Sequence, residues 1–185
     1  MNISLIASYV IGAVVMLTII FFNVRVSVHS GQETMHIMAK SKVDVVSQVL
    51  TNDLRKMGYG NNADIITATA TTLSFETDFN NDGTLNVITW QYDPATAIAE
   101  TENPNDRKLT RTVTGETPQD FSSLTVTRFE FFYILDDGTE TQTPGNLTQI
   151  RKVRVNVICE TEFGYDGVFG ASAWQKVITP LNLNI

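Results

Sequence analysis

The sequence contains little of the chemistry that most enzyme centres need. Its 185 residues include one cysteine, Cys159, and two histidines, His29 and His36. A single cysteine excludes an intramolecular disulfide and any multi-cysteine metal site. The sequence has no P-loop, no G-x-S-x-G motif and no paired His–Cys or His–Ser arrangement. We therefore predict a protein that is not an enzyme and has no catalytic residues.

Charge is also scarce, and its balance is acidic. Charged residues make up 18% of the chain, and 20 Asp and Glu against 13 Lys and Arg give a net charge of −7. An acidic chain is poorly suited to gripping phosphates, so we predict that nucleic acid is not the main partner. Four basic residues fall on two predicted strands, and we expect a solvated sheet face balanced by acids: Arg128, Arg151, Lys152 and Arg154.

Twenty consecutive residues, from Ile3 to Phe22, carry no charge. As a helix this run is about 30 Å long, which is enough to cross the hydrocarbon core of a membrane. A buried core helix is an alternative, but a core helix apolar on every side is unusual. A cleavable signal is another, but no basic residues precede the run. We predict that residues 1–22 form a retained hydrophobic membrane anchor.

The helical pattern continues beyond the anchor, over residues 23–60. Apolar or small residues recur in steps of three and four, which marks one face of a helix: Val24, Val28, Gly31, Met35, Ala39, Val43, Val46, Leu50, Leu54 and Met57. The polar residues between them, Asp53 included, form the predicted solvated face. The Gly58-Tyr59-Gly60-Asn61-Asn62 run is a stop signal. We predict one helix of about 55 residues; two helices broken near Ser30-Gly31 are the alternative.

Residues 61–185 read as an antiparallel β globular domain. Five runs of alternating residues, separated by turn clusters, predict strands: 72–78, 86–92, 108–113, 123–135 and 150–160. A change of parity near Thr127-Arg128 predicts a bulge, and segments 94–106, 114–122, 136–149 and 163–173 are predicted loops. The predicted core holds Trp90, Tyr92, Phe129, Phe131, Tyr133 and Cys159. With the Ala39–Met57 stripe as the cover of the sheet, the predicted fold class is α+β.

One loop carries a candidate metal site. The run from Asp78 to Asn86 matches the first part of a D-x-[DN]-x-[DN]-G calcium loop, with oxygens from Asp78, Asn80, Asp82, Thr84 and Asn86. Position 12 is Thr89 rather than the bidentate Glu of an EF-hand. Ca²⁺ is therefore the one candidate cofactor, and a polar hairpin tip without an ion is the alternative. His29 and His36 are predicted to be solvated helix residues.

This layout resembles the type IV pilin-like superfamily, and within it the W-type minor pilins and the J-type minor pseudopilins of type II secretion. The resemblance covers about residues 1–160 and is carried by short stretches: Leu54–Gly60, Thr69–Asp78, Asn81–Thr84, Ile88–Tyr92, Arg107–Arg111 and Val126–Tyr133. It implies a long N-terminal helix packed on an antiparallel sheet. Leu5 stands where the family has a glutamate, which fits an initiating or capping subunit.

The resemblance also implies a function. It predicts a structural subunit of a bacterial envelope or surface filament, held in the inner membrane by a single span with its domain outside the cytoplasm. After assembly the subunit would belong to a periplasmic or extracellular filament. Other pilin-like subunits would be its partners through the membrane and filament-core helix: Ile3, Leu5, Ile6, Val10, Val14, Leu17 and Phe21. The alternative is a membrane-tethered ligand-binding domain that does not polymerise.

Overall fold

The fold joins one long helix to one antiparallel sheet, as the sequence predicts. The computed structural model describes residues 3–60, 64–180 and 182–183; Met1, Asn2, Asn61, Asn62 and the side chain of Leu5 lie outside the described part. Helix α1 spans Ile3–Lys56, 54 residues, or about 80 Å. It ends where Gly58 adopts a positive φ of 77° and the Tyr59 amide donates to the Lys56 carbonyl at 2.9 Å.

The alternative of two helices broken near Gly31 is wrong, because α1 passes through this position without interruption. The glycine instead leaves room for the ring of Tyr165. A Cβ atom at Gly31 would lie 2.6 Å from Cε1 of Tyr165, so the missing side chain lets the tyrosine ring lie against the helix. The lost helix propensity, about 1 kcal/mol, is offset by a contact that a larger residue would prevent.

The sheet has the strand order β1-β2-β3-β4-β6-β8-β9, with β5 paired to β4 and β7 paired to β6. All pairs are antiparallel. Two 3₁₀ turns, Ser122–Leu124 and Leu147–Gln149, precede β6 and β8. The strands are β1 Ile65–Ala68, β2 Thr72–Thr77, β3 Asn86–Ala97, β4 Arg107–Val113, β5 Gln119–Asp120, β6 Val126–Leu135, β7 Glu140–Thr141, β8 Ile150–Glu160 and β9 Ala171–Ile178.

All five predicted strands are present, although the one predicted from residue 123 begins at Val126, because Ser122–Leu124 form a 3₁₀ turn. The bulge is confirmed by a register shift between Val126 and Arg128, and strand β1 was not predicted. The loop predictions are wrong in part: β3 continues to Ala97, β5 and β7 lie in predicted loops, and β9 begins at Ala171. The two-residue strands form only because β4 and β6 offer free edges. Strand β9 lacks apolar alternation, because Lys176 shares a face with Trp174 and Val155.

The core lies between the second half of α1 and the sheet. The predicted stripe is confirmed from Ala39 to Met57, since its side chains are at most 2% exposed. Strands β8 and β9 approach the helix most closely. Aromatic rings of the sheet side fill the same core, with Phe129 and Phe131 edge to face at 4.9 Å between ring centres and Trp90 stacked on Phe121 at 5.3 Å. Burial of this stripe fixes the helix on the sheet.

The close approach of the β9 segment to α1 predicts a sensitive glycine. A Cβ atom at Gly170 would lie 2.4 Å from the carbonyl carbon of Met35, which is backbone and cannot rotate away. We expect Gly170→Ala to cost about 1–3 kcal/mol through overpacking, measured as a lower melting temperature of the full chain in detergent. Gly145→Ala is the matched control, because nothing lies within 4 Å of its added methyl group. Equal melting temperatures for the two variants would contradict the close packing.

The buried stripe gives a second prediction. Val46 is fully buried, whereas Gln48 is exposed on the same turn of α1. Val46→Asp should destabilise the domain by several kcal/mol, because an unpaired carboxylate would be desolvated. Gln48→Asp should be nearly silent. Similar shifts of the melting temperature in both variants would exclude this packing face.

Candidate functional site

The first half of α1 projects from the domain and is uncovered. Every described side chain from Ile6 to Ser27 is exposed. The predicted membrane and filament-core residues range from 43% exposed at Ile6 to 84% at Ile3; they include Val10, Val14, Leu17 and Phe21. We call residues 3–27 the projecting helix. A surface apolar on all sides is unstable in water, so lipid or protein must cover it.

The projecting helix has the length and composition of a segment that lies in an apolar environment. Among the described residues, α1 is the one helix long and apolar enough to cross a membrane, and the domain buries none of the apolar stretch. Two of its hydroxyls bond to the helix backbone: Ser8 donates to the Ser4 carbonyl and Thr18 to the Val14 carbonyl, both at 2.9 Å. Because no polar group is left without a partner at these positions, the helix can enter an apolar phase at low cost.

The Asp78–Asn86 loop forms the tip of the β2–β3 hairpin. The Asp78 carboxylate accepts from the Asp82 amide at 3.0 Å and from the Gly83 amide at 2.9 Å. Asp82 accepts from the Thr84 amide at 2.7 Å and from the Asn80 side-chain amide at 2.8 Å. These hydrogen bonds, that from the Thr84 amide first, lower the pKa of Asp82.

Hydrogen bonds within the loop bring Asp78, Asn80, Asp82 and Thr84 close together. Asn86 lies apart, at the start of β3 opposite Thr77, and its Oδ1 atom is buried without a partner among the described residues. The loop hydrogen bonds stabilise the turn without an ion. In the described part of the chain, no three His, Cys, Asp or Glu side chains converge on one point. A calcium ion would have to replace the hydrogen bonds that Asp78 already accepts.

A buried ion pair, which the sequence pattern does not predict, lies toward the C-terminal end of α1 in the helix–sheet interface. Asp53 was predicted on the solvated face, which is wrong: it is fully buried. Its carboxylate accepts from Arg111 at 2.6 Å and 3.0 Å and from the Trp90 indole at 2.8 Å. Arg111 also donates to the side chain of Gln119 at 3.3 Å. This fork geometry joins α1 to β3 and β4 through charge-assisted bonds.

The positions of these two residues in the sequence indicate the pair, if residues are assigned to faces by spacing alone and not by polarity. Asp53 follows Leu50 by three residues and precedes Met57 by four, so it falls within the apolar stripe of α1. Arg111 has the same parity as Leu109 and Val113, the buried residues of β4. Two opposite charges on two apolar faces that meet in the fold indicate a buried pair.

The other candidate residues have ordinary surroundings. His29 lies 3.9 Å from Glu33, its neighbour one turn along α1, and both histidines are exposed as predicted. His36 Nδ1 lies 3.2 Å from the Ala171 carbonyl oxygen, another contact between α1 and β9. Cys159 is buried as predicted, and burial raises the pKa of its thiol to about 12, which keeps it protonated and unreactive.

The basic residues of the outer sheet face pair with acids. Arg128 lies 3.7 Å from Glu130, Arg151 lies 4.0 Å from Asp136, and Arg154 pairs with Glu140. The Arg154 guanidinium also stacks over the Phe132 ring at 4.0 Å. These contacts neutralise most of the positive charge on this face.

Comparison with known proteins returns no match to this chain among protein-family models, curated proteins or solved structures.

The buried ion pair yields a third prediction. Arg111→Met should cost about 3–5 kcal/mol, because it leaves the Asp53 carboxylate buried without its counter-charge. The double variant Asp53→Leu with Arg111→Met should recover much of this loss, since no charge is then buried. Thermal melts of the full chain in detergent measure both effects. Arg128→Met, which removes an exposed pair, is the control and should change stability by less than about 1 kcal/mol. A double variant as unstable as the sum of the single variants would contradict the pairing.

The loop yields a fourth prediction. If Asp78–Asn86 binds calcium, millimolar Ca²⁺ should shift the amide resonances of Gly83 and Thr84, because both amides donate to carboxylates that the ion would take over. Asp82→Ala should abolish these shifts. If the resonances do not shift with calcium, or shift equally in the variant, the loop binds no calcium and is a hydrogen-bonded turn.

Proposed function

We propose that this chain is a pilin-like structural subunit of a bacterial envelope or surface filament. The projecting helix anchors the subunit in the inner membrane before assembly and packs against neighbouring subunits afterwards. The observation that carries the proposal is the continuity of α1: its first half has no cover from its own domain, and its second half is the main helix of the core.

A rigid connection favours an assembly role over a simple tether. A domain that only needs attachment to a membrane is served by a flexible linker. Here the helix continues from Ile3 to Lys56 without a break, and contacts of Gly31 and Met35 hold it to the domain just beyond the projecting helix. The position of each domain is therefore fixed by the position of its helix, which an ordered filament requires.

Apolar residues beyond the reach of lipid support the same proposal. Ile37, Met38 and Val45 are exposed on α1, between 45% and 68%. Val45 lies 23 residues after Phe22, which is about 35 Å along the helix axis. A bilayer that covers the anchor does not reach this far. A neighbouring helix can cover both the anchor and these side chains.

Assembly from the membrane has a simple energetic basis. Moving the projecting helix from lipid to a helix bundle keeps its apolar surface buried, so the hydrophobic term changes little. Association then depends on close packing of backbones, which small residues permit. Ser4, Ser8, Gly12 and Ala13 supply such positions in the projecting helix. No catalytic group takes part in this mechanism.

The fifth prediction tests packing between subunits. In the bacterium that encodes the chain, Val10→Cys should form disulfide-linked dimers on oxidation, because neighbouring helices would place this position within reach of a second subunit. The native Cys159 is buried and contributes no background. Thr143→Cys, in an exposed turn, is the control for random collisions.

Electron microscopy of sheared surface material should show filaments that contain the chain, and their yield should fall when residues 1–30 are deleted. Val10→Cys chains that stay monomeric, with no filaments in the material, would instead favour the membrane-tethered ligand-binding domain.

A further inference from the structure

A second polar cluster lies at the end of the domain where the 98–106 segment meets β8. Asp106 is fully buried, yet neither of its carboxylate oxygens has a hydrogen-bond partner among the described residues. A buried carboxylate without partners is strongly disfavoured unless something compensates it. Asp78 and Asp82 accept hydrogen bonds within their loop, whereas Asp106 accepts none among the described residues.

The groups around Asp106 are rich in oxygen. Asn103, also buried, accepts from the Asp106 amide with its carbonyl at 3.2 Å and donates from its side chain to Glu160 at 2.7 Å. Thr101 donates its hydroxyl to the same Asn103 carbonyl at 3.4 Å. One asparagine therefore holds the Asp106 turn against the Glu160 carboxylate of β8.

The charges facing Asp106 come from three elements. Lys42 of α1 is the cation, while Glu160 at the end of β8 and Glu162 just after it are the acids. The Lys42 ammonium donates to the hydroxyl of Thr125 at 2.9 Å, and no ion pair among the described residues joins it to Asp106. Three carboxylates against one ammonium leave this cluster with an excess of negative charge. Burial, first of all, raises the pKa of Asp106, and Glu160 and Glu162 raise it further, while Lys42 opposes them.

A cleft with acidic side chains lies beside this cluster. Its volume is about 540 Å³, and Thr101 and Glu162 are part of its lining. Glu100 and Asp120 add two more carboxylates, and Lys108, which lies 3.6 Å from Asp120, is the cation of the lining. Thr101 joins the cleft to the turn that holds Asp106, because its hydroxyl donates to the Asn103 carbonyl.

We propose that Asp106 is the buried ligand of a hard divalent cation, of the calcium class, bound between the 98–106 segment and the end of β8. Glu160 supplies a second carboxylate, and the Thr101 hydroxyl and water supply neutral oxygens. No third acidic or histidine ligand converges here in the described part of the chain. The affinity should therefore be weak, on the order of 10⁻⁴ to 10⁻³ M. Such an ion would tie the 98–106 segment to the sheet, and this inference does not depend on the proposed function.

Calcium titration of the full chain in detergent tests the proposal, after treatment with a chelator and at constant ionic strength. The Asp82→Ala variant serves as the background, so that the hairpin loop contributes nothing. At ten times the dissociation constant the melting temperature should rise by about 3–6 °C. Asp106→Asn should raise the melting temperature without calcium, because it removes the buried charge, and should abolish the response to calcium.

Two further variants sharpen the result. Lys42→Gln should strengthen calcium binding several-fold, because it removes the competing ammonium. Arg128→Gln, on the outer sheet face, should leave binding unchanged. A background protein that ignores calcium, or an Asp106→Asn variant that responds as strongly as the background, would overturn the proposal. Asp106 would then be a protonated or hydrated acid without a bound ion.

Discussion

The structure depends on one interface, the packing of the Ala39–Met57 stripe of α1 against the sheet. The apolar contacts of this stripe give the interface its stability, and the Asp53–Arg111 pair gives it a fixed register. A helix that slid by one turn would leave both charges buried and apart, which is far more costly than the loss of a few apolar contacts. The Trp90 indole restricts the carboxylate further, so the helix has one position on β3 and β4 that satisfies every partner.

The same helix must satisfy two different surroundings. From Ala39 onward its apolar face is covered by the domain, while every side chain from Ile6 to Ser27 is exposed. The two halves join through a short segment of α1. There Gly31, and Gly170 of the β9 segment opposite Met35, permit contacts that larger residues would block. At this segment the helix passes from its exposed half to its packed half without a break. The proposed exchange of lipid for neighbouring helices uses only the free half, so assembly need not disturb the domain.

Much of this fold could be predicted from the sequence, and the failures have physical causes. Long apolar runs and alternation predict α1 and strands β2, β3, β4, β6 and β8, because most of their residues meet one environment along the element. Strands β1, β5, β7 and β9 are not predicted, since their pairing depends on edges that exist only after the sheet forms. The sequence pattern misplaces Asp53 because it predicts that a charged side chain is exposed to water, whereas the Arg111 guanidinium on β4 takes the place of water. For Asp106 and Asn103, no periodic signal marks the segment at all, and their burial follows from tertiary contacts alone.

The continuous helix also determines how the chain would carry a mechanical load. A pull on the projecting helix acts along the axis of α1, parallel to the surface that packs on the sheet. All contacts from Met35 to Met57 then resist together, as in a lap joint loaded in shear, instead of opening one after another as in a peeled strip. The buried ion pair lies near the far end of this joint and would be among the last contacts to feel the strain. A single element can thus join a membrane or filament axis to a globular surface under tension without a dedicated linker.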